Sequence, residues 1–352
     1  MIRKIYNCIS IHNGGGITYL SMMHEEMDKT GNLIFLDYRA KNSIKPFLYA
    51  EIIFFKKNLF RNLFVFKERL KYSSIFIKNI KNNKKKEYFK EYFLNGIPPL
   101  FRFPISTNKV FILFQNKNLF SYLNYFNNKL FFKLNFIIYH LIHSFLINCF
   151  LKKSDTIIVQ TNSMRKTLLS LKTENRIKIN NYYWKNLSLK NFNDNIIQDN
   201  KIKINKLLVK RVKKSSKSNI IFLYPSAFHP HKNHKLLFKA FSKFSFSSSK
   251  NIKLIVTVDK NEIPLKYRNN KSIFFIGNQS IYTINEIYKF TDFLIFPSLN
   301  ESLGLPLIEA SLYNIPIIAS NLDFVYEVCE PYITFDPYSE EDIYHKILES
   351  IN

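Results

Sequence analysis

The stretch 292–320, DFLIFPSLNESLGLPLIEASLYNIPIIAS, constrains the fold of this chain more than any other. Residues 292–296 and 315–319 are short apolar runs of the kind that form buried strands. Between them, a polar loop containing Gly304 leads to Pro306, which suits the first position of a helix. The stretch therefore predicts a strand–loop–helix–strand unit of a parallel sheet. Its loop would lie at the carboxyl end of a strand, where such sheets bind ligands.

Two carboxylates belong to this unit. Glu301 lies in the loop, and Glu309 lies in the first turns of the predicted helix. The amino end of a helix attracts anions, so a phosphate group could bind beside these residues while Glu309 accepts hydrogen bonds from sugar hydroxyls. The alternative is a solvated loop glutamate and a second glutamate that only favours the start of the helix.

The whole pattern resembles the E-x7-E segment of the retaining, GT-B-type glycosyltransferases of family 4. The resemblance implies an α/β chain with two Rossmann-like domains facing across a cleft, and a nucleotide-diphosphate sugar as donor. It implies that Glu301 contacts the transferred sugar and that Glu309 contacts the ribose or sugar hydroxyls. The resemblance makes Glu301 a candidate catalytic residue, together with Lys232. The donor-binding residues carried by this segment are Ser302, Gly304, Leu305, Pro306 and Glu309.

A second part of the expected donor site follows the predicted strand 219–224. Lys232 precedes a helix predicted from residue 235, where its charge could neutralise a diphosphate. The family places a phosphate-binding lysine here, and Lys232 matches it, whereas the arginine often found five residues earlier is Ala227 in this chain. The turn at Gly277 and Asn278, after the predicted strand 272–276, corresponds to the family's contact with the nucleotide base.

The first domain carries weaker signals. Residues 2–10 alternate as in a strand, a glycine run follows, and residues 17–27 have helical spacing. This order can cradle a phosphate, although a tight turn is the alternative. The resemblance makes Gly15 and Gly16 candidates for contact with the donor diphosphate. It also implies that Gln115-Asn116, after the predicted strand 109–114, borders the acceptor, although a simple turn is again the alternative.

Composition limits the class of protein. A chain of 352 residues with 46% apolar residues is long enough for two domains with real cores. The formal net charge of +26 indicates an anionic partner: a membrane surface, a phosphate-bearing substrate or nucleic acid. No nucleic-acid-binding signature accompanies the charge, so no nucleic acid is expected. Three widely separated cysteines fit a reducing compartment, and we expect no signal peptide.

The predicted domains are 1–185, an acceptor domain, and 218–352, a donor domain, joined by a basic linker or insertion at 186–217. The sequence leaves open whether the last helix, 340–351, packs back on the first domain. The apolar segment 130–151 has nearly the length of a membrane span. Its polar residues fall close to one stripe, which favours an amphipathic helix that is buried on one side or lies on a membrane.

The resemblance implies a hexosyltransferase-type enzyme that acts on a glycan or polyprenyl-linked acceptor in lipopolysaccharide, O-antigen or capsule synthesis. It would be cytoplasmic and peripheral on the inner face of the cell membrane. We expect no cofactor and no metal, since the chain shows no Asp-x-Asp pair and the histidines around Pro230 lack acidic partners. The alternative is a basic nucleic-acid- or lipid-binding protein on a non-catalytic GT-B scaffold.

Overall fold

The computed structural model describes residues 4–12, 14–56, 67–68, 71, 89–96, 98–99, 108–114, 149–170, 176–179, 204–247 and 251–352. The chain divides into two compact units, Met1–Asp199 and Asn200–Asn352. Each unit is a parallel α/β unit, so the predicted fold class is confirmed. Within the ranges given, none of the helices combines the length and apolar character needed to cross a membrane. Residues 115–116 and 130–148 lie outside these ranges, so the predictions made for them have no counterpart here.

The first unit is built on a parallel sheet. Its described strands are β1 (Lys4–Cys8), β2 (Asn32–Asp37), β3 (Glu51–Phe55), β4 (Phe89–Phe93), β5 (Asn108–Leu113), β6 (Thr156–Val159) and β7 (Arg176–Ile179). They stand in the order β3-β2-β1-β4-β5-β6-β7. The helices that accompany them in the described ranges are α1 (Gly14–Met22), α2 (His24–Met27) and α3 (Asn162–Ser170). Apolar clusters cover both faces of the sheet, as a parallel sheet requires.

The second unit repeats this plan. Its strands are β8 (Ile220–Tyr224), β9 (Ile252–Val256), β10 (Ile273–Phe275), β11 (Phe293–Phe296), β12 (Ile317–Ser320) and β13 (Ile333–Phe335). They pair in parallel in the order β10-β9-β8-β11-β12-β13. Its helices are α4 (Lys206–Ser216), α5 (His234–Ser247), α6 (Leu265–Arg268), α7 (Ile281–Tyr288), α8 (Leu305–Leu312), α9 (Asp323–Tyr326) and α10 (Glu340–Ile351).

Three boundaries differ from those predicted. Helix α1 begins at Gly14 rather than after the glycines, so Gly15 and Gly16 lie in its first turn instead of in a loop. The sequence predicts a short helix over residues 285–290, whereas helix α7 begins at Ile281, because the Ser280 hydroxyl accepts a hydrogen bond from the N–H of Thr283 and caps the helix. The described part of the expected linker, 204–217, contains helix α4.

Helix α4 forms because one of its faces is apolar. Leu208 and Val212 are four residues apart and are buried in the core of the second unit, while the basic side chains point outward. Asn205 caps the helix by accepting a hydrogen bond from the N–H of Leu208 at 3.1 Å. Helix α10 belongs to the same core through Ile343 and Ile347, so the described packing of the last helix lies within the second unit.

The strand order of each sheet reverses at one point. In the second unit, successive strands run outward from β8 to β9 and β10 on one side, and from β11 to β12 and β13 on the other. The loops that leave β8 and β11 therefore separate at the carboxyl edge of neighbouring strands. Open α/β sheets bind ligands in the crevice that this divergence creates. Residues 225–233 and 297–304 form these two loops.

Candidate functional site

The segment 292–320 folds as predicted into β11, a loop, α8 and β12. Gly304 has φ +72°, a left-handed conformation that lets the loop turn sharply into the helix. A Cβ atom at this position would lie 3.1 Å from Leu307 Cδ1. Pro306 lies in the first turn of α8, where the missing N–H leaves no helical hydrogen bond unmade. Asn314, just after the end of α8, has φ +55° and turns the chain toward β12. This local chemistry fixes where the loop ends and the helix begins.

Lys232 and Glu301 meet at the point where the strand order reverses. Lys232 ends a short 3₁₀ turn, Pro230–Lys232, in the loop after β8, and Glu301 lies in the loop after β11. Their Nζ and Oε1 atoms are 2.5 Å apart. The side chains are 17% and 11% exposed, so the pair is shielded but still reaches solvent. The structure thus brings together the two residues that the sequence assigned to catalysis.

Polar contacts hold the two loops together. The Tyr224 hydroxyl donates to the carbonyl of Lys232 and accepts from the Ser298 hydroxyl, both at 2.9 Å. The N–H of Leu299 donates to the carbonyl of His231 at 2.7 Å. Tyr224 is fully buried, and burial raises its pKa, so its hydroxyl stays protonated. The hydrogen bond between Tyr224 and Ser298 joins residues 74 positions apart, so the local sequence gives no signal for it.

Glu309 has a different environment. It lies in the middle of α8 and is only 8% exposed. The Tyr288 hydroxyl, at the end of α7, donates to its Oε2 atom at 2.9 Å. Removal from water raises the pKa of Glu309 to about 7, although the hydrogen bond from Tyr288 acts in the opposite direction. Glu309 is therefore close to half protonated at neutral pH.

Histidines surround Lys232 without forming a metal site. The rings of His229 and His231 lie parallel, with centroids 5.8 Å apart. His234 begins α5 and is packed against the rings of Tyr224 and Phe238. Burial, aided by the charge of Lys232, lowers the pKa of His234 to about 3. Among the described residues, no group of three or more His, Cys, Asp or Glu side chains could hold a metal ion.

The remaining predicted donor residues lie at the same edge of the second sheet or outside it. Gly277 follows β10 with φ +68°, and Asn278 beside it is exposed. Apart from its chain neighbours, no atom of the described residues lies within 4 Å of the place where a Cβ would stand. Open space next to a glycine of this conformation leaves room for a flat group to approach the backbone. Gly15 and Gly16 belong to the first unit, and Gln115 and Asn116 lie outside the described residues.

Comparison with known families identifies the second unit. Residues 206–352 match the family described as "Glycosyl transferases group 1". This range begins at the first residue of α4 and contains Lys232, Glu301 and Glu309. Among curated protein sequences, none matches the chain.

Solved structures share the whole architecture at low sequence identity. Sucrose-phosphate synthase from Thermosynechococcus elongatus is 13% identical, with a TM-score of 0.64, over 99% of this chain and 90% of that one. HepE from Anabaena, in complex with UDP and glucose, is 13% identical, with a TM-score of 0.58, over 100% and 90%. WaaG, a glycosyltransferase involved in lipopolysaccharide biosynthesis, is 12% identical, with a TM-score of 0.57, over 99% and 90%. The chain therefore has the GT-B fold, and its residues 206–352 form a glycosyl transferases group 1 domain, which supports a glycosyltransferase.

Proposed function

We propose that the protein is a retaining, metal-independent glycosyltransferase of family 4 that uses a nucleotide-diphosphate sugar as donor. The observation that carries this proposal is the Lys232–Glu301 pair, which lies where the loops of β8 and β11 diverge, inside the range that matches the family. An ammonium group is suited to a diphosphate, and a carboxylate beside it is suited to the hydroxyls of the attached sugar.

The reaction requires a positive charge at this position. The bond between the anomeric carbon and the diphosphate breaks, and its electron pair leaves with the diphosphate oxygen. The acceptor hydroxyl forms the new bond to the anomeric carbon, and its proton passes to an oxygen of the leaving diphosphate. Negative charge therefore grows on the leaving diphosphate, and Lys232 stabilises it from a preorganised, shielded position. Glu301 orients the sugar, Glu309 accepts hydrogen bonds from the ribose hydroxyls, and the turn at Gly277 receives the base.

The acceptor in this proposal is a glycan or polyprenyl-linked sugar, in the synthesis of a surface polysaccharide such as lipopolysaccharide. WaaG acts in lipopolysaccharide biosynthesis and shares the fold, and HepE binds UDP and glucose. A lipid-linked acceptor requires the enzyme to work at an anionic membrane surface. Helix α4 and the residue that follows it offer a surface of the right charge: Lys206, Lys210, Lys214 and Lys217 are exposed, and Leu207 beside them is 78% exposed.

The first experiment is a thermal-shift panel of UDP, GDP, ADP and the corresponding nucleotide sugars. A donor that binds the folded chain raises its melting temperature, and saturation at 100 times Kd adds about 2.7 kcal/mol. The Lys232→Met variant should lose that stabilisation, whereas Lys235→Met, which removes an exposed lysine three residues away, should keep it. If no nucleotide shifts the wild type, the donor assignment is wrong.

The finer parts of the proposal have their own tests. NMR of the product should show the anomeric configuration of the donor, and activity should survive excess EDTA. The full-length chain should sediment with vesicles containing phosphatidylglycerol but not with phosphatidylcholine vesicles. Replacement of the four exposed lysines of this surface by glutamine should weaken that binding more than the same replacement at four control lysines elsewhere in the second unit. The surface lysines are Lys206, Lys210, Lys214 and Lys217. The control lysines are Lys235, Lys260, Lys266 and Lys271. Equal losses in the two variants would assign the membrane contact to another surface.

A further inference from the structure

The pair formed by Tyr288 and Glu309 is built differently from an ordinary glutamate on a helix. The carboxyl group lies against the end of α7, and one of its two oxygens, Oε2, accepts the hydrogen bond from Tyr288. Tyr288 is itself 1% exposed, and its ring stacks on that of Tyr313, with centroids 5.2 Å apart and planes 16° apart. The hydroxyl is therefore held in one place by packing, and it holds the carboxyl group in turn.

Among the residues that the structure describes, no cation offsets the burial of this carboxyl group. Helix α8 packs on β11 and β12, and neither of these strands carries a titratable side chain. The titratable partner that contacts Glu309 is Tyr288, and burial raises the pKa of Tyr288 well above its usual value, so its hydroxyl is neutral. Glu286, also on α7, forms an ion pair with Lys289 at the surface, with Nζ and Oε1 2.5 Å apart. A carboxyl group in such surroundings takes up a proton more readily than one in water.

We propose that Tyr288 is a positioning residue for Glu309, and that nucleotide binding is coupled to the loss of one proton from Glu309 to the solvent. The inference rests on the proposed function, in which Glu309 accepts hydrogen bonds from the two ribose hydroxyls. Two hydroxyl donors are satisfied best by a carboxylate, since a protonated carboxyl group turns one of its acceptors into a donor. Tyr288 donates a hydrogen bond to Oε2 from one side and thereby orients the carboxylate, so that its remaining lone pairs can accept from the ligand.

The coupling has a defined size and sign. The pKa of Glu309 lies at about 7 in the free protein, and ribose hydroxyls stabilise its ionised form. Affinity should then be constant well above pH 7 and fall up to tenfold for each unit below it. Removal of the Tyr288 hydroxyl takes away a bond that favours the ionised form, so the midpoint of this pH dependence should move upward.

Isothermal titration calorimetry at pH 7 in phosphate and in Tris measures the released proton, because the two buffers have different ionisation enthalpies. We expect release of about half a proton per nucleotide bound at pH 7 and almost none at pH 9, since Glu309 is then already ionised. The probe is whichever of UDP, GDP and ADP binds in the thermal-shift panel. Its 2′,3′-dideoxy analogue, which lacks both ribose hydroxyls, should bind without releasing this proton.

Variants separate positioning from simple structural support. Tyr288→Phe keeps the buried ring and should bind the nucleotide several-fold more weakly at pH 7, but nearly as well as the wild type at pH 9. Tyr313→Phe removes the hydroxyl of the stacked tyrosine and should leave the pH profile unchanged. Glu309→Gln should abolish the proton release. A loss in Tyr288→Phe that is equal at pH 7 and pH 9 would overturn the positioning role.

The outcomes also distinguish this inference from the proposed function. If none of the three nucleotides binds, the donor assignment itself fails. If a nucleotide binds and Lys232→Met weakens it, but the two buffers report no proton release at pH 7, the donor site stands and the coupling is wrong. Release that persists in Glu309→Gln would assign the proton to another group, and it would equally overturn the inference.

Discussion

The two carboxylates of the segment 292–320 are eight residues apart and lie in opposite surroundings. Glu301 belongs to a loop, reaches solvent, and is paired with the charged amine of Lys232. Glu309 belongs to a helix, is buried, and is bonded to the neutral hydroxyl of Tyr288. Glu301 has a cation beside it, whereas burial raises the pKa of Glu309 and works against its ionised form. The same residue type can therefore serve two tasks, because its partner decides its charge.

Gly304 separates these two environments. Its left-handed φ of +72° ends the polar loop and starts the helix within one residue, so that Glu301 faces the loop of β8 while Glu309 turns toward α7. A motif with both carboxylates on one continuous helix would give them more similar surroundings. The comparison thus predicts that variants on the Glu301 side change charge stabilisation, and that variants on the Glu309 side change the response to pH.

The largest expected effect is on the Glu301 side. Lys232→Met removes the cation at the developing negative charge, and the transfer rate should fall roughly 100- to 1,000-fold, as for other preorganised electrostatic contacts. Steady-state kinetics with the donor found in the thermal-shift panel measure this, and circular dichroism checks the fold. Lys235→Met is the matched control, with an expected rate close to that of the wild type. Equal rates for the two variants would remove Lys232 from the mechanism.

The next effect is on the pH dependence of stability. The pKa of Glu309 is raised from 4.5 to about 7, so protonation favours the folded state. This contribution to stability is complete below about pH 4.5 and is lost as the pH rises through 7. At 1.36 kcal/mol per pKa unit, it amounts to roughly 3 kcal/mol in total. Urea denaturation at several pH values should therefore show that Glu309→Gln is nearly neutral at low pH and stabilising, relative to the wild type, above pH 7.

The contribution of His234 to the pH dependence of stability has the opposite sign and serves as the internal check. Its pKa is lowered to about 3, so its contribution is present above its unfolded value of 6.5 and is lost on acidification. Both groups titrate between pH 4.5 and 6.5, and their slopes oppose each other there. The contribution of His234 is the same in the wild type and in Glu309→Gln, so it cancels when their free energies of unfolding are subtracted. A difference that does not change with pH would contradict the buried, uncharged environment of Glu309.

A smaller effect is expected at the residue between the two environments. Gly304→Ala places a side chain at φ +72° and a Cβ atom 3.1 Å from Leu307 Cδ1, which should destabilise the second unit by about 1–2 kcal/mol. Gly277→Ala is the matched control, because Gly277 has φ +68° but, in the described part of the chain and beyond its own neighbours, no atom within 4 Å of the added carbon. Chemical denaturation should show the larger loss in Gly304→Ala. The reverse order would mean that the Leu307 contact relaxes without cost.

The smallest effect concerns the bonds between the two loops. Tyr224→Phe removes the hydroxyl that joins the Lys232 carbonyl to Ser298, and the expected loss of stability is about 1 kcal/mol. Tyr267→Phe is the control, since the buried hydroxyl of Tyr267 makes no hydrogen bond with the described residues. That variant should be neutral or slightly stabilising. Similar losses in the two variants would show that the Tyr224 bonds contribute little to holding the loops.

The parts of the site that could be predicted are those with local signals. Gly304 and Pro306 have conformational preferences that fix the loop and the helix start, and the apolar runs around them mark the strands. Lys232 was placed by its position before a helix and by the family pattern. Because all strands are parallel, the carboxyl ends of β8 and β11 had to share an edge, so the meeting of Lys232 with Glu301 follows from the topology.

The parts that could not be predicted depend on long-range contacts of side chains. The hydroxyl of Tyr288 reaches a carboxylate 21 positions away, and that of Tyr224 reaches Ser298, 74 positions away. Nothing in the local spacing distinguishes these tyrosines from the many others in the chain. The sequence of helix α4 predicts a linker or insertion because its eleven residues include five cations, and only Leu208 and Val212 mark its buried face.

The central claim is that Lys232 and Glu309 hold two parts of one nucleotide. A crystal structure of the protein with a bound nucleoside diphosphate from the thermal-shift panel tests it most directly. We predict a diphosphate oxygen about 3 Å from Lys232 Nζ and the ribose hydroxyls on the Glu309 carboxylate, with Tyr288 still bonded to Oε2. A nucleotide bound elsewhere, with the Lys232–Glu301 and Tyr288–Glu309 contacts untouched, would contradict the claim.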